Sequence, residues 1–187
     1  MEVQLDFRST SDRKIYDLRD TGISSIMLLG HYTYQRAGQV LKQHQHNNMF
    51  EICYLETGKQ IYEIESKEYL LKGGDLLLTK PNQIHGTSNY PESIGSLYWI
   101  ILKAPDENQS LLGFKKSWSE SLYSELLNAP HVHFPGNQRI RQRFRTLESQ
   151  CRSRDRPLIN LHIFNSIVSI LLEVIELSKS DNSVDLP

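Results

Sequence analysis

GQVLKQHQHNNMFEICYLETG, residues 38–58, is the stretch on which the fold turns. His44 and His46 are separated by one residue, Glu51 follows after four more, and glycines at 38 and 58 bracket the set. Side chains on an extended chain alternate faces, so the two imidazoles point the same way. Downstream, Gly73-Gly74-Asp75 makes a turn, Pro81 a break, and His85 brings a third imidazole. A carboxylate from the neighbouring strand and that third imidazole close a site of His44, His46, Glu51 and His85. Imidazole suits zinc, copper, iron and nickel, and the carboxylate widens the choice toward manganese. The expected cofactor is therefore a divalent zinc, nickel, iron or manganese ion. The same four residues can instead line a polar ligand pocket with no metal in it.

Outward from this stretch, residues 26–34, 50–56, 60–65, 68–72, 75–79 and 96–103 are rich in Tyr, Ile and Leu. Turn residues separate them: Gly38, Asn47-Asn48, Gly58, Gly73-Gly74, Pro81-Asn82 and Pro91. Many short strands with no helix between them predict an all-β sandwich or barrel over residues 26–105. After Ala104-Pro105 the period changes. Residues 117–129 read as one helix, and Asn137 caps a second that runs to about Arg154. Pro157 opens a third, whose apolar residues at 161, 164, 167, 168, 171, 172 and 175 follow a helical repeat. Residues 106–180 are thus a helical segment, residues 1–25 a polar N-terminal arm, and residues 181–187 a tail or interdomain linker.

The chain has 187 residues, enough for one well-packed domain, and a formal net charge of −1. That balance gives no global reason for nucleic-acid or membrane binding. The two cysteines, Cys53 and Cys151, fit a reducing cytoplasm. Met1 to Asp6 show no signal pattern, and no apolar run is expected to span a bilayer. A cytoplasmic protein is expected.

The spacing Gly38, His44-Gln45-His46, Glu51, Gly58 resembles the first cupin motif. Gly74, Pro81, His85 and Asn89 resemble the second, with the proline one residue late and the glycine between Pro and His missing. That resemblance implies a mainly β double-stranded β-helix (jelly roll) followed by helices. Leu70 to Leu78, then Pro81, His85 and the strand Tyr98 to Pro105, are similar to the effector-binding domain of arabinose-regulator (AraC) type transcription factors. The likeness covers about residues 25–178. It implies a small-molecule effector inside the barrel, a sugar in the sugar-responsive members, with Trp99 stacking on it. It also implies a homodimer formed through the helices and an N-terminal arm that reports occupancy. DNA would be contacted only through a C-terminal pair of helix-turn-helix motifs, for which residues 130–180 have no room. A stand-alone metal-dependent cupin enzyme, an isomerase or dioxygenase using His44, His46, Glu51 and His85, is the rival. A structural dimer module with a vestigial pocket is a third reading.

Trp99, Tyr62 and Tyr34 are the candidate effector contacts, although aromatics favour strands for steric reasons alone. Alternation allows only one of Tyr98 and Trp99 to face inward. Leu161, Phe164, Val168, Leu171, Leu172 and Ile175 are the candidate dimer interface on the terminal helix, with packing inside the chain as the competing use. His131-Val132-His133 reads as a surface strand or loop, and His31 and His162 receive no function. The arginines from Arg139 to Arg156 read as a solvated helix face or a surface meeting a further domain.

Overall fold

The computed structural model describes residues 5–180, so the expected tail at 181–187 lies outside the described residues. Among the described residues, eight strands precede or interleave three α-helices: β1 (Arg13–Asp17), β2 (Ile26–Tyr34), β3 (Met49–Ile64), β4 (Lys67–Lys72), β5 (Asp75–Thr79), β6 (His85–Gly86), β7 (Gly95–Lys103), α1 (Lys116–Leu127), β8 (His133–Pro135), α2 (Gln138–Arg152) and α3 (Ile159–Ser178). The sheet runs β1-β2-β7-β3-β5-β8, with β4 and β6 also paired to β3. Every named pair is antiparallel. This is the expected jelly roll followed by helices.

The two strands expected at 50–56 and 60–65 are one strand, β3. Its first half pairs with β5 and β7, and its second half with β4 and β6. The register slips between Leu55 and Thr57, where Gly58 adopts φ 98°. A Cβ on Gly58 would sit 2.4 Å from the Ile94 carbonyl oxygen, so only glycine lets the strand fold over there. The glycine that reads as a break is the corner of the barrel.

The barrel strands bury both faces. Leu28, Tyr32, Leu97, Trp99 and Ile101 point inward, while Leu29, Tyr98, Ile100 and Leu102 pack outward under the helices. Burial on both sides explains the near-continuous apolar runs in β5 and β7. The helices close over the outer face, with Phe144 of α2 stacked on Tyr54 at 5.3 Å between ring centroids. Asn137 caps α2 as expected, its side chain accepting from the Ile140 N–H at 2.9 Å.

Several expectations need correction. Residues 13–17 of the expected arm are a paired edge strand, and Leu18 behind them is fully buried. His133 is buried and bonds Asp75 at 2.9 Å, so it is no surface residue. Helix α3 does meet the length and composition of a bilayer span, contrary to expectation. Here it is a core helix: Ile163, Ile167, Ile170 and Val174 are fully buried against the chain's own core. Leu171 and Ile175, assigned to a dimer interface, are buried in that same core, because the helix turns them toward the sheet. Leu161 (63%) and Leu172 (53%) stay exposed, and Phe164 and Val168 are half-buried.

Candidate ligand cavity and metal centre

The four candidate ligands meet. An isolated antiparallel bridge joins His44 to His85, with backbone bonds of 2.9 and 2.8 Å in the two directions. β6 in turn pairs with the second half of β3, His85 opposite Ile64. His46 lies two residues beyond His44, next to the start of β3, and Glu51 stands in the first half of β3. The His46 and His85 Nε2 atoms lie 3.1 and 3.3 Å from Glu51 Oε2. One ligand atom from each of the four lies within 4.8 Å of all the others, and all four side chains are buried.

The tautomers suit a metal. His44 Nδ1 is 2.8 Å from the Lys42 carbonyl and His85 Nδ1 is 2.9 Å from the Gln83 carbonyl. A carbonyl only accepts, so both Nδ1 atoms carry a proton; His44 Nε2 is then free to present a lone pair, and His85 Nε2, which donates to Glu51, would present one after giving up that proton to make room for an ion. His46 Nδ1 is buried with no partner, so the cluster is not closed by hydrogen bonds alone. Burial works against the Glu51 carboxylate, yet hydrogen bonds from His46 and His85 hold it well below the usual range. Burial pulls the His85 imidazole down, but the bond to Glu51 and its charge outweigh that and raise it. Burial, then the charge of His85, pushes His44 down. Three nitrogens and one oxygen at this spacing could hold a metal ion.

The cluster opens on a cavity of about 800 Å³, to which His44, His46 and Glu51 present one wall. Trp99, Tyr62 and Tyr34 all line it, as do Tyr32, Leu28, Leu97 and Ile101. Trp99 points in and its neighbour Tyr98 points out, as alternation demands. Gly30 on β2 makes this possible. A Cβ there would fall 2.1 Å from the indole ring, so the ring lies flat on bare backbone. Residues 5–13 form the outer wall through Leu5, Asp6, Arg8 and Arg13. The Arg13 guanidinium stands 5.1 Å from the centroid of the Trp99 ring.

Four residues here escape the sequence reading. Tyr32 follows from the same alternation that selects Trp99. Cys53, two residues after Glu51 on the same face of β3, places its Sγ 3.3 Å from Glu51 Oε1, and burial pushes its thiol well up. Arg13 and Glu92 carry no local signal, since their place on the cavity depends on chain that folds back from far away. A smaller polar hollow of about 370 Å³ lies between α2 and α3, where Arg139 and Arg143 are committed to Glu173.

No curated protein matches the sequence. Among solved structures, the chain is similar to KdgF from Halomonas sp., at 20% identity over 56% of this chain and 90% of that one, with a TM-score of 0.40. An RmlC-like cupin from Shewanella frigidimarina is 16% identical over 58% of this chain and 98% of that one, TM-score 0.37. Bacterial pirin YhhW from Escherichia coli, solved with nickel(II), is 17% identical over 58% and 50%, TM-score 0.43. The family described as the AraC-like ligand binding domain matches residues 30–165, from the glycine under Trp99 through the barrel and α2 into α3, and the chain belongs to that family.

Proposed function

We propose that the chain is the effector-sensing and dimerisation part of a cytoplasmic AraC-type transcription regulator, taking a small metabolite, a sugar by preference, into its barrel. The cavity carries this reading: about 800 Å³, one flat indole, and an outer wall built from the N-terminal residues. A ligand can shift a regulator only by binding one arrangement more tightly than another. Residues 5–13 supply that difference, because a ligand against Trp99 also meets Arg13. The Arg13 guanidinium donates to the Arg8 carbonyl at 2.9 Å and pairs with Asp6 at 3.6 Å, so a change at Arg13 reaches the rest of this wall. DNA would be engaged by a helix-turn-helix pair beyond the barrel and helices, in a homodimer joined through α3. The test is a thermal-shift and calorimetric screen against monosaccharides. A ligand at a hundred times its Kd raises stability by about 2.7 kcal/mol, which is readily seen. A panel with no shift and no heat rejects the sugar sensor.

One observation favours a second reading, a metal-dependent cupin enzyme. Four buried ligand groups converge beside a cavity large enough for a substrate. A bound ion would supply Lewis-acid chemistry at an open coordination position. His44, His46, Glu51 and His85 would hold it, and Trp99 and the tyrosines would orient the substrate. Protein purified without chelator and carrying no stoichiometric metal on elemental analysis excludes this reading.

A further inference from the structure

A second polar group of side chains faces the cavity besides the histidine cluster, and neither reading above uses its carboxylate, Glu92. Glu92 lines the cavity with Tyr34 and Arg13. Its backbone is fixed from both sides: the Gly38 N–H donates to the Glu92 carbonyl at 2.7 Å, and the Glu92 N–H donates to the Gln39 carbonyl at 3.1 Å. Gly38 lies alongside its side chain, at ordinary contact distance. A Cβ there would lie 3.4 Å from Glu92 Cβ and 3.6 Å from Glu92 Oε2. Tyr34 stands by the carboxylate and favours its charged form, and Tyr34 is itself stacked on Tyr32 at 4.1 Å. Burial pushes the Glu92 carboxyl up, while Tyr34 and the charge of Arg13 hold it back.

The chemistry of this pole is selective. The carboxylate and the guanidinium whose charge reaches it are opposite in sign, so a charged ligand loses to one group what it gains from the other. A hydroxyl suits both, because it donates to the carboxylate and accepts from the guanidinium. Two neighbouring hydroxyls on one ring satisfy both groups at once, and the apolar face of such a ring fits a flat indole.

We propose that Glu92 and Arg13 form a hydroxyl-reading pole, which selects an uncharged ring with adjacent hydroxyls lying against Trp99. This rests on the small-molecule sensor reading and names the ligand class that sensor takes. Glu92 is the specificity-determining residue, accepting from one hydroxyl, and Arg13 donates to the next.

The experiment is calorimetry on the full chain with neutral pentoses and hexoses, the matching uronates and amino sugars, and single-deoxy analogues of whichever neutral sugar binds. Glu92→Gln keeps the side chain's shape and removes its charge. The expected result is a neutral sugar that binds wild type and loses about 10- to 100-fold in E92Q. The deoxy analogue lacking the hydroxyl that meets Glu92 should weaken on wild type and lose little more in E92Q, since the two changes remove one contact. A neutral sugar that binds wild type and E92Q alike overturns the pole and leaves the sensor reading standing. A matching uronate or amino sugar that binds as well as the neutral sugar overturns the selection for an uncharged ring. No heat from any of these sugars overturns the sensor reading and this proposal together. Should E92Q fail to fold, the wild-type deoxy series decides: no single hydroxyl worth more than about threefold overturns the proposal.

Discussion

Gly30 decides whether Trp99 can lie where the cavity needs it. A methyl group added there would meet the indole at 2.1 Å, so the ring must leave its place or the strand must bend. Gly30→Ala is expected to lower stability by about 1–3 kcal/mol and shift tryptophan emission. The shift is best read in a Trp118→Phe background, because Trp118 is 60% exposed and would dominate the signal. Unchanged emission in that background would mean that Trp99 does not rest on Gly30. The histidine cluster allows a second test at the same scale. Metal ligation needs neutral imidazoles, and His85 is raised above its ordinary 6.5 by Glu51. Protons therefore compete for this ligand earlier, as pH falls, than they would for a free histidine. Zinc affinity, measured by chelator competition at pH 8, 7 and 6, should fall steadily over that series, and Glu51→Gln should weaken it at every pH. Zinc affinity that does not change with pH would remove the imidazoles from the ligand set. All four residues of this cluster were legible as spacing, because the jelly roll brings its two motifs together whatever lies between them.

Helix α2 shows where sequence reading stopped. Its arginines read as a solvated face, yet they tie the helix to other elements. Arg141 and Arg145 pair with Glu56 of β3, Arg139 and Arg143 with Glu173 of α3, and, just past the helix, Arg154 with Asp20. These partners stand far away in the chain, so no local pattern announces them. The strands at 26–34 and 75–79 were legible to the residue, since their turns and apolar runs agree. β6 and β8 were not, because two or three residues are too few to show a period of two. The hub of α2 is Glu148, which is 7% exposed. It accepts from Tyr98 at 3.0 Å, Tyr16 at 3.2 Å and Arg152 at 2.6 Å, and lies 3.0 Å from His31 Nδ1. His31 and Tyr98 stack on each other on the outer face of β2 and β7, the strands whose inner face carries Tyr32 and Trp99. Burial would raise Glu148, but His31 and Arg152 hold it at about 2, down from 4.5. A depressed carboxylate stabilises the fold fully above its unfolded value and loses that contribution as pH falls through its folded value. The window is therefore pH 4.5 down to about 2. Glu148→Gln should cost on the order of 2–3 kcal/mol at neutral pH and flatten the acid side of the stability curve in that window. Urea denaturation at pH 7, 4 and 3 checks both, and an unchanged acid slope would remove Glu148 as its source.

At the scale of the molecule, the question is what the outer side of α3 faces. The helix spends one side on the core, through Ile163, Ile167, Ile170 and Val174, and leaves another side bare. Leu158 just before it and Leu161, Asn165, Val168 and Leu172 along it recur at alternating intervals of three and four, the spacing of a two-helix coiled-coil seam. Leu158, Leu161 and Leu172 are 68, 63 and 53% exposed, and Asn165 is exposed between them. A lone polar residue in such a seam fixes its register. The patch continues sideways, because Phe164 meets Phe114 at 5.7 Å and Phe114 meets the exposed Trp118 at 6.0 Å. A second copy of the chain would cover the stripe along a twofold axis. The sequence pattern found this helix but could not divide its apolar residues between core and seam, since Leu171 and Leu172 are adjacent and differ only in direction. Mutation separates them. If the protein pairs through this stripe, Leu161→Asp with Leu172→Asp should make it a monomer on equilibrium sedimentation at micromolar concentration and leave the folded protomer and its cavity intact. Leu171→Ala should instead lower stability by about 2–5 kcal/mol through a core cavity, without selectively splitting the dimer. A wild-type protein that sediments as a monomer, or an aspartate pair that leaves the dimer whole, would move the association surface off α3.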